Sequence, residues 1–182
     1  MKEEHAIPSL DQLIPGDLLL YDRGGIFGTA VKVKTWSNVS HIEVVTDFNT
    51  SISAREEGVN EFPIDLHGLR YVLRPQFRIS MDEGLKWFRA VAAGQSYHYI
   101  GLLSFYLATW QGKTDNKMFC SESVARFLKK CGVSLLNKHK DADTYAPSQF
   151  LDSPLVDYVW VKYVEEDWKL VTQGGNLVYP AS

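Results

Sequence analysis

Residues 39–46 read Val-Ser-His-Ile-Glu-Val-Val-Thr, and Asp47-Phe48-Asn49-Thr50 then lead into Ser51-Ile52-Ser53-Ala54-Arg55. The β-branched content predicts a strand over 39–46, a turn at 47–50 and a second strand near 51–55. Because side chains alternate across a strand, Ile42 and Val44 point one way while His41 and Glu43 point the other. The imidazole in this strand is open to two readings. It is either a structural residue with its hydrogen bonds met or a proton carrier, since its unperturbed pKa lies near neutrality.

Upstream, Pro15-Gly16-Asp17 is a turn signal that launches Leu18-Leu19-Leu20-Tyr21, read as a buried strand. Gly24-Gly25-Ile26-Phe27-Gly28 follows as a flexible loop whose spacing matches neither the P-loop nor the dinucleotide fingerprint. Downstream, Arg70–Arg74 is a short strand stopped by Pro75. Ser80-x-x-Glu83 is a capping box opening a helix through about Ala93, with Leu85, Phe88 and Val91 or Ala92 on its buried stripe and Gly94 as its stop. Ile100–Trp110 reads as a buried helix or helical turn. A second clear helix begins around Met118–Glu122, where Val124, Phe127, Leu128 and Cys131 recur at three- and four-residue spacing and Lys129, Lys130 and Gly132 close it. Val156–Tyr163 supplies a final strand. These elements describe an α+β chain. Residues 1–14 are a polar lead-in, 15–163 the domain, and 164–182 a tail that packs back on the domain or serves as a docking arm.

The length of 182 residues suits one domain, and 45% hydrophobic with 23% charged residues allows a sizeable core. Nineteen basic against twenty-two acidic residues give a net charge of -3, which argues against a nucleic-acid binder working through a basic surface. The start, Met1-Lys2-Glu3-Glu4-His5, does not resemble a secretory signal, and the greasiest segment, Tyr99–Trp110, is shorter than the roughly 20 residues that span a bilayer. A cytoplasmic origin without transmembrane insertion is therefore expected, with packaging in a virus particle left open. His5, His41, His67, His98 and His139 are scattered, with none of the short spacings of a metal-binding helix or finger, so no metal is expected.

Cys120 and Cys131 fall on one expected helix, eleven residues apart, or roughly 16 Å at helical rise, too far for a disulfide. Two unpaired thiols fit a reducing compartment. Cys120 sits at or within one turn of the helix start, where free backbone N–H groups and the helix dipole favour a thiolate. The same position lies four residues before Val124 on the apolar stripe, so a small buried hydrophobe is the other reading. Cys131, at the opposite end, is expected to be inert.

Five phrases occur in one order along the chain: Pro15-Gly16-Asp17-Leu18-Leu19, Ser40-His41-Ile42-Glu43-Val44, Gln95-Ser96-Tyr97-x-Tyr99-x-Gly101, Phe119-Cys120-Ser121-Glu122 and Ala146-Pro147-Ser148-Gln149-Phe150. Together they resemble the permuted NlpC-type papain-like cysteine hydrolases, the YaeF/YiiX-like group, with lecithin:retinol acyltransferase a more distant relative. In ordinary papain-like enzymes the nucleophile helix precedes the histidine strand, and here His41 comes first.

The resemblance implies a circularly permuted papain-like α+β fold, in which a helix with Cys120 at its N-terminus packs on an antiparallel sheet carrying His41. It also implies acyl transfer or hydrolysis at amide, ester or thioester bonds without a cofactor, with peptidoglycan peptides or acyl lipids as substrates. Cys120 would attack the carbonyl, His41 would shuttle the proton, and backbone N–H groups near Cys120 would hold the oxyanion. The position matching the family's third polar residue is Ser53, a feeble orienter of an imidazole. Glu43 is the substitute, although two residues along a strand is about 6.6 Å. Glu56 and Glu57 read as a solvated turn. A rival expectation from another class is a catalytically silent copy of the fold, used for binding or for assembly with a protein partner as in a virus particle. A lipid-handling protein is a third.

Overall fold

A run of four apolar residues is buried from end to end only where a sheet is covered on both faces. Strand β1 (Leu18–Tyr21) occupies such a place: all four side chains are fully buried. The computed structural model describes residues 9–97, 117–136, 145–162, 171–173 and 176–178. After β1 come helix α1 (Gly25–Thr35), β2 (His41–Asp47), β3 (Thr50–Arg55), β4 (Gly58–Pro63), β5 (Leu69–Pro75) and helix α2 (Asp82–Trp87). Two short strands follow, β6 (Ser96–Tyr97) and β7 (Lys117–Met118), then helix α3 (Cys120–Lys130), β8 (Val156–Val161), β9 (Val171–Gln173) and β10 (Asn176–Val178). Six strands form one sheet in the order β4-β3-β2-β1-β5-β8, with every neighbouring pair antiparallel. The α+β expectation holds.

Register decides which residues meet. Tyr21 pairs with His41, Leu19 with Glu43, Leu20 with Ile42 and Leu18 with Val44. Leu18, Leu20, Ile42 and Val44 therefore share one face, and with Ile52 and Ala54 they pack against Cys120, Val124, Phe127 and Leu128 of α3. Leu19, Tyr21 and Val45 turn to the other face, into a smaller cluster with Leu13, Ile64, Leu69 and Val72. Phe127 is fully buried. Truncating such a residue to alanine typically costs about 3–5 kcal/mol, the scale on which the α3 face holds the helix to the sheet.

A buried charged contact ties β1 and β5 at one end. Asp17 is wholly buried and receives Arg74 Nε and Nη2, each at 2.8 Å, while the Ile14 amide donates to it at 3.0 Å. The fork geometry is the one that can offset burying a carboxylate. At the β3–β4 turn, Glu56 and Glu57 are exposed, as expected of a solvated turn, and Gly58 follows at φ +110. A side chain at Gly58 would be strained and would meet the Gln95 carbonyl.

Several local expectations need correction. Gly24–Gly28 is not a loop: Gly24 is the N-cap of α1, which is held by Lys32 on Asp22 and by Ser40 Oγ on the Arg23 backbone. Gly and β-branched residues hide that helix from propensity, and tertiary contacts supply it. Ser80 does not cap α2. Met81 is the N-cap without a side-chain bond, and after Trp87 the chain continues as a π-helical turn, Phe88–Ala92. That turn selects Phe88 and Ala92 for the core and leaves Val91 exposed. Strand β4 was not expected, because Gly58-Val59-Asn60-Glu61-Phe62-Pro63 lies at the sheet edge with weak patterning. The strand at Val156 is not the last, since β9 and β10 form a hairpin within the tail. The Ile100–Trp110 segment, His5, His98 and His139 lie outside the described residues. Among the described residues, no helix is long and apolar enough to cross a membrane.

Helices α2 and α3 approach closely at Gly84, where a β-carbon would collide with Cys131 Sγ and the Phe127 ring. Gly84→Ala is expected to lower unfolding free energy by about 1–3 kcal/mol in urea titration. An unchanged midpoint would mean that α2 shifts freely away from α3.

Candidate active site

Cys120 is the first residue of α3, behind the extended N-cap Phe119 at φ -101 and ψ 169. The N–H groups of a first helical turn have no carbonyl a turn below them, so they leave a donor-rich, electropositive end beside the thiol. His41 is the first residue of β2. The fold thus brings together the starts of two elements far apart in sequence. Both residues are buried, Cys120 at 4% and His41 at 8% exposure. Burial pushes the ring's pKa down, but the Cys120 sulfur, through its charge and hydrogen bond, and then Glu43 reverse this and raise it to about 9.

The ring's orientation follows from a count of donors and acceptors. His41 Nε2 lies 3.0 Å from Glu43 Oε1 and 3.1 Å from Ser53 Oγ. Ser53 has one hydroxyl proton and gives it to the Ile42 carbonyl at 3.0 Å. Its oxygen can then only accept from the ring, and an ionised carboxylate is acceptor-only. Nε2 must therefore carry a proton, shared between Glu43 and Ser53, and Nδ1 is the nitrogen left for the sulfur. The strand-spacing objection to Glu43 is overturned: the glutamate side chain is long enough to fold back along its own strand to the ring. Ser53, the expected third position, touches the same nitrogen, so the imidazole has two orienters.

Glu43 is itself clamped. Ser51 Oγ donates to Oε2 at 2.6 Å, and Arg55 reaches Oε1 with Nε at 3.0 Å and Nη2 at 2.7 Å. Arg23 Nη2 stands 3.8 Å from Oε1. Arg55 in turn lies over the Phe62 ring, 4.3 Å from its centroid. Burial pushes the Glu43 carboxyl pKa up, but the His41 bond and charge, Arg55 and the Ser51 hydroxyl outweigh it and hold the group at about 2. Sequence reading missed Ser51 and Arg55. Strand parity could have found them, since they flank Ser53 at two-residue spacing on one face. Arg23, two residues beyond β1, has no such signal.

Cys131 is the C-cap of α3, and burial raises its thiol pKa to about 11. Both cysteines are free. A cavity of about 600 Å³ lined by Ile14, Arg74, Phe77 and Met81 opens near Asp17, at the end of β1 opposite Tyr21 and His41, and is separate from this site.

No family model and no curated protein matches the chain. Among solved structures, the metalloprotein YiiX from Escherichia coli O157:H7 aligns with a TM-score of 0.63 at 16% sequence identity, covering 84% of this chain and 99% of its own. The two share a fold, so the resemblance to the YaeF/YiiX-like group holds at the level of architecture. A metal does not fit the residues described here. Among them no group of three or more His, Cys, Asp and Glu side chains could hold an ion. The carboxylate nearest the Cys120–His41 pair is already occupied by Ser51 and Arg55, and Arg23 adds a second positive charge beside it.

The pair makes stability depend on pH with a definite sign. His41 is raised from 6.5 to about 9, so its contribution is complete below 6.5 and is lost as pH rises through 9. Glu43 is lowered from 4.5 to about 2, so its contribution is complete above 4.5 and is lost as pH falls through 2. The urea midpoint is expected to be highest between these limits and to fall on both sides. In Glu43→Gln the acid-side loss should shrink, and an unaltered acid limb in that variant would contradict the clamp.

Proposed function

We propose that the protein is a cysteine-dependent hydrolase or acyltransferase of the permuted papain-like type, acting on amide, ester or thioester bonds through an acyl-enzyme on Cys120. The observation that carries the reading is the allocation of the His41 ring: Nε2–H is held by Glu43 and Ser53, and Nδ1 is left to the sulfur of a cysteine at a helix N-terminus.

The steps follow from that geometry. The Cys120 proton passes to Nδ1, and the imidazolium is stabilised by the Glu43 carboxylate behind it. The sulfur attacks the scissile carbonyl, an S–C bond forms, and the oxyanion faces the donor-rich N-terminal end of α3. The imidazolium returns its proton to the leaving nitrogen, oxygen or sulfur as the old bond breaks. Water, or an acceptor nucleophile in the transferase case, then gives a proton to His41 and attacks the thioester, releasing the acyl group and the thiol. Peptidoglycan-type peptides and acyl lipids are the substrate classes that this chemistry suits.

The test is intact-mass detection of an acyl adduct. Thioester and peptidoglycan-fragment substrates are expected to leave an adduct on Cys120 that Cys120→Ser abolishes, and His41→Ala should slow its formation roughly 10²–10⁴-fold with a cooperative unfolding transition retained. Near neutral pH, iodoacetamide should label Cys120 well ahead of Cys131. Equal labelling, with no adduct from any of these substrates, would refute the enzyme reading.

A further inference from the structure

Resting on the acyl-enzyme reading above, we propose that Tyr21 and Arg23 form a specificity subsite beside His41 for a neutral oxygen acceptor, such as an amide carbonyl next to the scissile bond. The acyl donor is then one that carries such a carbonyl and not a plain hydrocarbon chain.

The argument starts from two donors with nowhere to donate. Tyr21 is fully buried, yet its hydroxyl has no hydrogen-bond partner, and the buried Nη2 of Arg23 has none either. Buried polar side-chain atoms are rarely left so, and such atoms are expected where a ligand supplies the missing partner. These two are neighbours: the Arg23 guanidinium lies over the Tyr21 ring at 4.5 Å from its centroid. They also adjoin the reacting groups. Tyr21 is the cross-strand partner of His41, with ring centroids 6.0 Å apart, and the Arg23 backbone is bonded in both directions to Ser40 Oγ, one residue before His41.

Arg23 is also the loosest cation of the group. Its side chain is 31% exposed and reaches Asp65 only at 3.4 Å and Glu43 only at 3.8 Å, whereas Arg55 grips Glu43 at 2.7 Å. A small swing of Arg23 uncovers the phenol and presents both donors to one acceptor at little cost in existing bonds. The flanking carboxylates of Glu43 and Asp65 select the acceptor's charge. An anionic group placed on Arg23 would face both of them, while a neutral carbonyl accepts two hydrogen bonds without that repulsion. An alkyl chain in the same place would leave both donors unmet, the situation that polar sites discriminate against most strongly.

The test uses two p-nitrophenyl esters of matched chain length, the N-acetylglycyl and the pentanoyl ester, which differ in an amide replacing two methylenes. The rate ratio for acylation of Cys120, followed by p-nitrophenol release and intact mass, is divided by the ratio for a small thiol in solution. The corrected ratio is expected to favour the amide ester by about tenfold or more in the native chain and to fall at least about threefold in Tyr21→Phe and in Arg23→Gln. A corrected ratio near one in the native chain, or one that neither variant changes, overturns the subsite while leaving the acyl-enzyme in place. Slowing of both esters by the same factor overturns it too, since that marks a purely structural role. Absence of any adduct on Cys120 from either ester overturns the acyl-enzyme reading and the subsite with it. Should Arg23→Gln fail to fold, Tyr21→Phe decides alone, because it removes only an oxygen that has no partner in the native fold.

Discussion

The hydrogen bond between Glu43 and His41 is the constraint around which the site is organised. A fully buried carboxylate is costly unless its charge is met on every side, and Glu43 meets that demand with Ser51, Arg55 and the imidazole at once. Each of those partners is thereby fixed. Arg55 is laid on Phe62, Ser51 is turned inward from β3, and the ring is rotated so that Nε2 faces the carboxylate and Nδ1 is turned away from it. Orientation of the imidazole is thus a consequence of desolvating a charge on its own strand.

The sheet makes this possible by separating tasks between faces. On one face, Ile42, Val44, Ile52 and Ala54 bind α3 and so position its N-terminus. On the other, the same two strands carry His41, Glu43, Ser51, Ser53 and Arg55 as a polar network. A one-residue slip of register would exchange the two sets and destroy both core and site. The short turn into β3 and the buried Asp17–Arg74 fork hold that register from either side of β1. The fold is shared with YiiX at 16% identity, so this architecture is kept through wide change of side chains.

How much was legible in the sequence depended on whether the signal was local. Strands β1, β2, β3 and β5 could be read from their apolar or β-branched runs, and α3 from the spacing of Val124, Phe127 and Leu128. Helix α1 could not, because its glycines and β-branched residues argue against helix and its support comes from Asp22 and Ser40. Strand β4 could not, because edge position removes the alternation that a strand buried on one face displays. The start of α2 was misplaced because Ser80 has the composition of a cap without its geometry. At the site, Cys120 and His41 were nameable from sequence and Glu43 from strand parity. Its bond to the ring was not, because spacing along a backbone says nothing about how far a flexible side chain reaches back.

By itself the sequence determined the periodicities, and hence an α+β chain with one thiol at a helix start and one imidazole sharing a strand face with a carboxylate. Those properties depend on neighbours within a turn or a pleat, which covalent order specifies directly. Only the tertiary structure decided that the two element starts meet, which ring nitrogen the carboxylate holds, and which distant cations keep Glu43 ionised. These follow from strand order and from the burial of charge, and both are settled by how remote segments exclude water together.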